Sequence, residues 1–207
     1  MRPISRRLAI AASLSVMAVL GLSACGQSGG AVTADDMSLG NANAPVTVVE
    51  YASISCSHCA VWNKEVFPAF KAKYVDTGKV RYVFREFITP PPQLAAAGFL
   101  LARCTGKDKY FSTLDQIFHA QEEIFRTGDI RTPLVAIAAQ AGMTEEQLNA
   151  CVSDEKALNE LNARVDNWAK TAKITGTPTF DINGKRLDGE QSLAALDKAI
   201  AEAQAAK

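Results

Sequence analysis

Apolar residues recur along this chain with a period that changes from strand-like to helical and back, and the changes mark out the elements of a mixed fold. Val46 to Tyr51 is a short, β-branched run after Pro45, and Val80 to Phe87 repeats that character, so both read as buried strands. Between them Val66, Phe67, Phe70 and Tyr74 recur at helical spacing, with Pro68 expected to kink or restart the helix. Strand, helix and strand at this separation make a βαβ unit. Pro90-Pro91-Pro92 ends the pattern. From Gln93 to about Cys151 the period is helical: Leu94 to Arg103, Tyr110 to Phe125, Pro133 to Ala141, and a short helix opened by the capping box Thr144-Glu145-Glu146-Gln147. Another helix places Leu158, Leu161, Val165 and Trp168 along one face and leads back toward a sheet. Thr179 to Ile182 is a short strand, Asn183-Gly184 has the chemistry of a tight turn, and Lys185 to Leu187 can pair back. Leu193, Leu196 and Ile200 give the last helix its apolar stripe. The expected fold class is α/β, with a helical segment of roughly 60 residues inserted between a βαβ and a ββα half.

Composition adds a compartment. The chain has 207 residues, 48% of them hydrophobic, which is enough to fill one core without help from metals or many disulfides. Met1 to Cys25 has the layout of an export signal: Arg2, Arg6 and Arg7 with no acids, an apolar run from Leu8 to Leu22, and small residues at its end. That run is short for a membrane-spanning helix, which needs roughly 20 apolar residues. Leu22-Ser23-Ala24-Cys25 resembles the lipobox of bacterial lipoproteins, in which the cysteine is acylated and tethers the mature protein to a membrane; the alternative is a plain secretory signal cut near Ala24. Ser5-Arg6-Arg7-Leu8 lacks the flanks of a twin-arginine signal. Gln27 to Asp36 is rich in small and polar residues and reads as a flexible spacer. The expected organisation is signal peptide 1–24, spacer 25–36, framework domain 37–90 with 155–207, and helical insertion 91–154. Three of the 22 basic residues lie in the signal, so the remainder carries 19 against 22 acidic residues, and no basic stripe suggests a nucleic-acid partner.

Export changes the meaning of the five cysteines, because disulfides persist outside the cytosol. Cys56-Ser57-His58-Cys59 follows a buried strand at the point where a helix should start. There the free N–H groups and the positive end of the helix dipole stabilise an anion, so Cys56 is expected to ionise at low pH and act as nucleophile. Cys59, one turn on and more buried, would resolve the mixed disulfide. His58 is expected to stabilise the Cys56 thiolate further, which favours the reduced form and makes the disulfide form an oxidant. The alternative is a copper or zinc site built on Cys56, His58 and Cys59, although no second ligand cluster completes a tetrahedron, and the expected metal complement is none. Haem attachment fails because Ala60 stands where a histidine is required. Cys104 and Cys151 can join across the helical insertion in an oxidising compartment, or remain two free core thiols. His119, Tyr51 and Trp62 read as structural or surface residues.

These motifs together resemble the DsbA-like branch of the thioredoxin superfamily. That branch carries Cys-x-His-Cys after its first strand, a helical insertion, and a cis-proline loop, which Gly176-Thr177-Pro178-Thr179-Phe180 matches. The resemblance, over about Met37 to Ala203, implies a thioredoxin-like fold with an inserted helical domain. It also implies a cis bond before Pro178, a Thr177 backbone edge for substrate peptide, and an acid beneath the cysteines at Glu50, where a proton relay to Cys59 competes with an outward, solvated role. Some members carry a second, non-catalytic disulfide in the helical domain. Ser57 departs from the proline many members have, and with Thr177 it leaves the direction of reaction open. The resemblance implies a periplasmic thiol–disulfide oxidoreductase that introduces disulfide bonds into reduced or unfolded exported proteins and acts as a monomer. It implies no cofactor beyond the Cys56–Cys59 redox pair, and a membrane quinone-linked thiol oxidase as reoxidant. Disulfide isomerase or reductase activity is the alternative.

Overall fold

The computed structural model describes residues 31–206, so the expected export signal and Cys25 lie outside the described residues. Among the described residues five strands form one mixed sheet: β1 (Met37–Leu39), β2 (Val46–Ala52), β3 (Val80–Glu86), β4 (Thr179–Ile182) and β5 (Lys185–Asp188), in the order β1-β3-β2-β4-β5. Strands β2 and β3 are parallel, the crossover read from the sequence, and the other three pairings are antiparallel. Val46, Val48, Ala52, Val80, Tyr82 and Phe84 are buried on one face, as β-branched and aromatic residues on a covered strand should be. Strand β1 was not anticipated. Its three residues are too few to show a period, and it is defined by pairing Met37 with Phe84.

Helix α1 (Ser57–Glu65) stops one residue before α2 (Phe67–Phe70), whose first turn contains Pro68, so the proline restarts the helix as its missing N–H dictates. A π-helical turn, Lys71–Val75, completes the crossover. After the triple proline come α3 (Pro92–Cys104), α4 (Lys107–Thr127), α5 (Arg131–Gln140) and α6 (Glu145–Val152). Gly128 closes α4 with φ 74°, a left-handed conformation that an L side chain resists. The capping box of α6 is formed in both directions between Thr144 and Gln147. Helix α7 (Glu155–Thr171) starts three residues before the apolar stripe because Asp154 caps it, and α8 (Leu193–Ala205) is capped by Ser192. Cys104, at the end of α3, is disulfide-bonded to Cys151 in α6.

The reading of residues up to Asp36 as flexible spacer needs correction for its last part. Asp36 makes a two-pronged pair with buried Arg85 at 2.9 and 3.0 Å, and the Ala31 carbonyl accepts from the same guanidinium at 3.1 Å. Composition could not show this, because the partner lies about fifty residues away on β3.

Candidate active site

Strand β2 ends at Ala52, and a tight turn of buried residues leads into α1 at Cys56. Cys56 is the N-cap, with φ −92° and ψ 118°, and its sulfur plays the part a serine or aspartate oxygen would, accepting the Cys59 N–H at 3.3 Å. Strand β4 pairs with β2 so that Thr179 faces Tyr51, which sets the preceding loop beside the same turn. The Thr177–Pro178 bond is cis, and the Cys56 thiol donates to the Thr177 carbonyl at 3.3 Å. Two motifs separated by more than a hundred residues thus meet at one sulfur.

The two thiols, both reduced here, differ sharply. The Cys59 thiol donating to it, then the Thr177 hydroxyl and the backbone N–H groups of Cys59 and His58, lower the Cys56 pKa to about 6 from the ordinary 9.0, against the partial burial that raises it. Burial pushes Cys59 well above 9.0, and its neighbours Cys56 and Glu50 add to the rise. Glu50 lies inside, not in solvent. Burial raises its pKa to about 8, while the Tyr82 hydroxyl, which donates to it, works the other way.

His58 is placed differently from the expectation. Its ring is largely exposed and hydrogen-bonds through Nδ1 to Glu190 Oε1 at 2.6 Å, so toward Cys56 the residue contributes its backbone N–H. Among the described residues no group of three or more His, Cys, Asp or Glu is arranged to hold a metal ion. Trp62 is core: it packs on Phe180 at 4.8 Å between ring centres and donates its indole N–H to the Gln191 carbonyl at 3.0 Å. Tyr51 is buried on the opposite face beside Trp168 and Arg85, and His119 is exposed on α4.

Sequence reasoning missed what holds the turn. Ser55 Oγ donates to the Thr89 carbonyl at 2.7 Å and meets Ser53 Oγ at 3.0 Å, and the Thr89 N–H donates to Ser53 Oγ at 3.3 Å. From the insertion, Gln121 on α4 donates its side-chain amide to the carbonyls of Ile54 and Cys56. A signal for Gln121 existed: it stands on the stripe Tyr110, Leu114, Ile117, Phe118 and Ile124, where an apolar residue belongs. Among the described residues no helix is long and apolar enough to cross a membrane.

Residues 32–202 match the thioredoxin family model Thioredoxin_4. A Rickettsia bellii protein named "Putative protein-disulfide oxidoreductase" is 37% identical over 174 residues, 82% of this chain and 66% of that relative, and a Rickettsia conorii relative is 38% identical with 61% of its length covered. The chain therefore spans 61 to 66% of the length of these curated relatives. Among solved structures, Wolbachia pipientis alpha-DsbA1 is 26% identical with a TM-score of 0.77, covering 84% of this chain and 94% of that one. A protein-disulfide isomerase from Novosphingobium aromaticivorans, 24% identical with a TM-score of 0.68 over 81% of this chain and 96% of that one, shares the fold. With Cys-x-His-Cys at a helix N-terminus, a cis-proline loop on its first sulfur and a helical insertion behind it, the chain belongs to the DsbA-like thiol–disulfide oxidoreductase family of the thioredoxin superfamily.

Proposed function

We propose that this protein introduces disulfide bonds into exported proteins through a Cys56–Cys59 pair. In the oxidised enzyme a substrate thiolate attacks the Cys56 sulfur, the Cys56–Cys59 bond breaks, and Cys59 leaves and takes up a proton. The substrate's second thiolate then attacks its own sulfur in the mixed disulfide and releases Cys56 as a thiolate. The substrate loses two electrons and two protons; the enzyme takes up both electrons, one proton goes to Cys59 and the other to solvent, which leaves Cys56 as the thiolate. The observation that carries this reading is the asymmetry between a Cys56 thiol at about 6 and a Cys59 thiol well above 9.0. A low leaving-group pKa speeds release of the oxidised product, and a stabilised reduced form makes the disulfide a strong oxidant. Glu50, raised to about 8 by burial and near enough to Cys59 to raise its pKa, would hand Cys59 its proton.

Thr177 and Pro178 would dock substrate backbone beside Cys56. Periplasmic location, a lipid anchor on Cys25, action as a monomer and reoxidation by a membrane quinone-linked thiol oxidase belong to the same proposal, resting on the pattern of the first 25 residues and on the need for an electron acceptor. The test is the glutathione equilibrium of the purified protein together with oxidation of reduced ribonuclease. An oxidase shows an equilibrium far toward its reduced form, oxidises the substrate, and loses this with Cys56→Ala. Reactivation of scrambled ribonuclease without net oxidation would instead make it an isomerase.

A further inference from the structure

The helical insertion reaches the backbone of Cys56 through the side chain of Gln121. Gln121 is buried on α4, and its Nε2 donates to the Ile54 carbonyl and, at 3.1 Å, to the Cys56 carbonyl. The Cys56 carbonyl is also the first acceptor of α1, taking the Ala60 N–H at 3.1 Å. Its direction is set by ψ of Cys56, and the same angle decides whether the N–H groups of Ser57, His58 and Cys59 converge on the sulfur. Pinning the carbonyls at both ends of the Ile54–Cys56 segment therefore pins the amides as well. Helix α3 packs closely on the same turn from the neighbouring side: a Cβ at Gly98 would come within 2.9 Å of Ile54 Cδ1.

We infer that Gln121 is a positioning residue for the thiol–disulfide chemistry, holding the carbonyls of Ile54 and Cys56 so that the first-turn amides of α1 stay on the Cys56 sulfur. A leucine at this point of the apolar stripe would pack as well and leave the Ile54 carbonyl without this donor, which explains why an amide occupies a core position. The inference rests on Cys56 being the nucleophile.

Gln121→Met keeps length and volume but carries no donor, and Gln121→Leu, which fits the apolar stripe, carries none either. Each is expected to raise the Cys56 pKa by about one unit and to shift the glutathione equilibrium about tenfold toward the oxidised enzyme. Lowered thermal stability with both quantities unchanged would reduce Gln121 to packing and overturn the inference. Unmodified protein supplies a second readout: the Gln121 side-chain amide resonances should titrate with the Cys56 thiol, and amide signals that stay still from pH 4 to 8 while Cys56 ionises would also overturn it. If Cys56 itself shows an ordinary thiol pKa in the unmodified protein, the parent reading fails, and that result is distinct from either variant outcome.

Discussion

Glu50 and Cys56 pull the stability of the reduced protein in opposite directions as pH changes. The folded state keeps a proton on Glu50 up to about pH 8, whereas the unfolded carboxyl loses it near 4.5, so between these values the native state binds more protons and stability falls as pH rises. Cys56 is the reverse: its folded pKa of about 6 lies below the unfolded 9.0, so its contribution grows from pH 6 to 9, to roughly 1 kcal/mol at pH 7 after allowance for solvent at a half-exposed sulfur. Glu50→Gln should accordingly make the protein more stable at pH 8 than the parent, by up to about 4 kcal/mol, with little difference at pH 4.5. Urea unfolding at the two pH values checks this; equal gains at both would show that burial of the charge is not the cause. At this scale Cys56, Cys59 and Pro178 were legible because their chemistry is carried by short motifs. Ser53, Ser55, Thr89 and Gln121 were not, since each matters only through a partner distant in space or on another element.

Helix α1 shows how an element becomes a reagent. Its N-cap is a thiol, so the N–H contact that ordinarily begins a helix falls on the Cys56 sulfur, where it favours the thiolate. The helices of the insertion form from their own stripes and caps, which is why their positions were readable. Their mutual arrangement is locked by the Cys104–Cys151 bond, which closes a loop over a sequence separation of 47. Chain-entropy reasoning assigns about 4 kcal/mol to such a loop. The double substitution Cys104→Ala with Cys151→Ala is expected to lower unfolding free energy by that order in guanidinium titrations, and a loss below about 1 kcal/mol would mean the helices already hold each other. Strand β1 and the π-helical turn escaped the sequence reading for a shared reason: three or five residues hold too few repeats of a hydrophobic period to identify it.

For the molecule as a whole, the second face of the sheet is covered in a way no local pattern announces. Val49, Tyr51, Val83 and Ile174 form a small cluster there, flanked by Trp168 of α7 and Val32 of the N-terminal arm. Arg85 lies within it, stacked on the Trp168 ring at 4.0 Å, hydrogen-bonded to Tyr51 at 2.9 Å and paired with Asp36. The side chains of Arg85 and Asp36 are 0% and 3% exposed, so removing one leaves the other charged and dry. Asp36→Ala is expected to cost about 3–5 kcal/mol in denaturant unfolding, and a change under 1 kcal/mol would show that the arm is not needed to cover the face. On the opposite side of β3, Glu86 is gripped by Arg103 from α3 and Arg164 from α7, tying the insertion to the sheet.

Hydrophobic period and the Cys-x-His-Cys motif by themselves determined the order of the longer elements, the crossover, the inserted helices and the two cysteines, because each is written in neighbouring residues; the proline loop was legible only through the family resemblance. Tertiary structure alone decided that Glu50 is buried beside Tyr82, that His58 turns to Glu190, that Gln121 reaches the Cys56 carbonyl and that Asp36 closes on Arg85. These are matters of which side chain faces which across the fold, and the energy of a buried charge or donor depends on that partner rather than on its place in the chain.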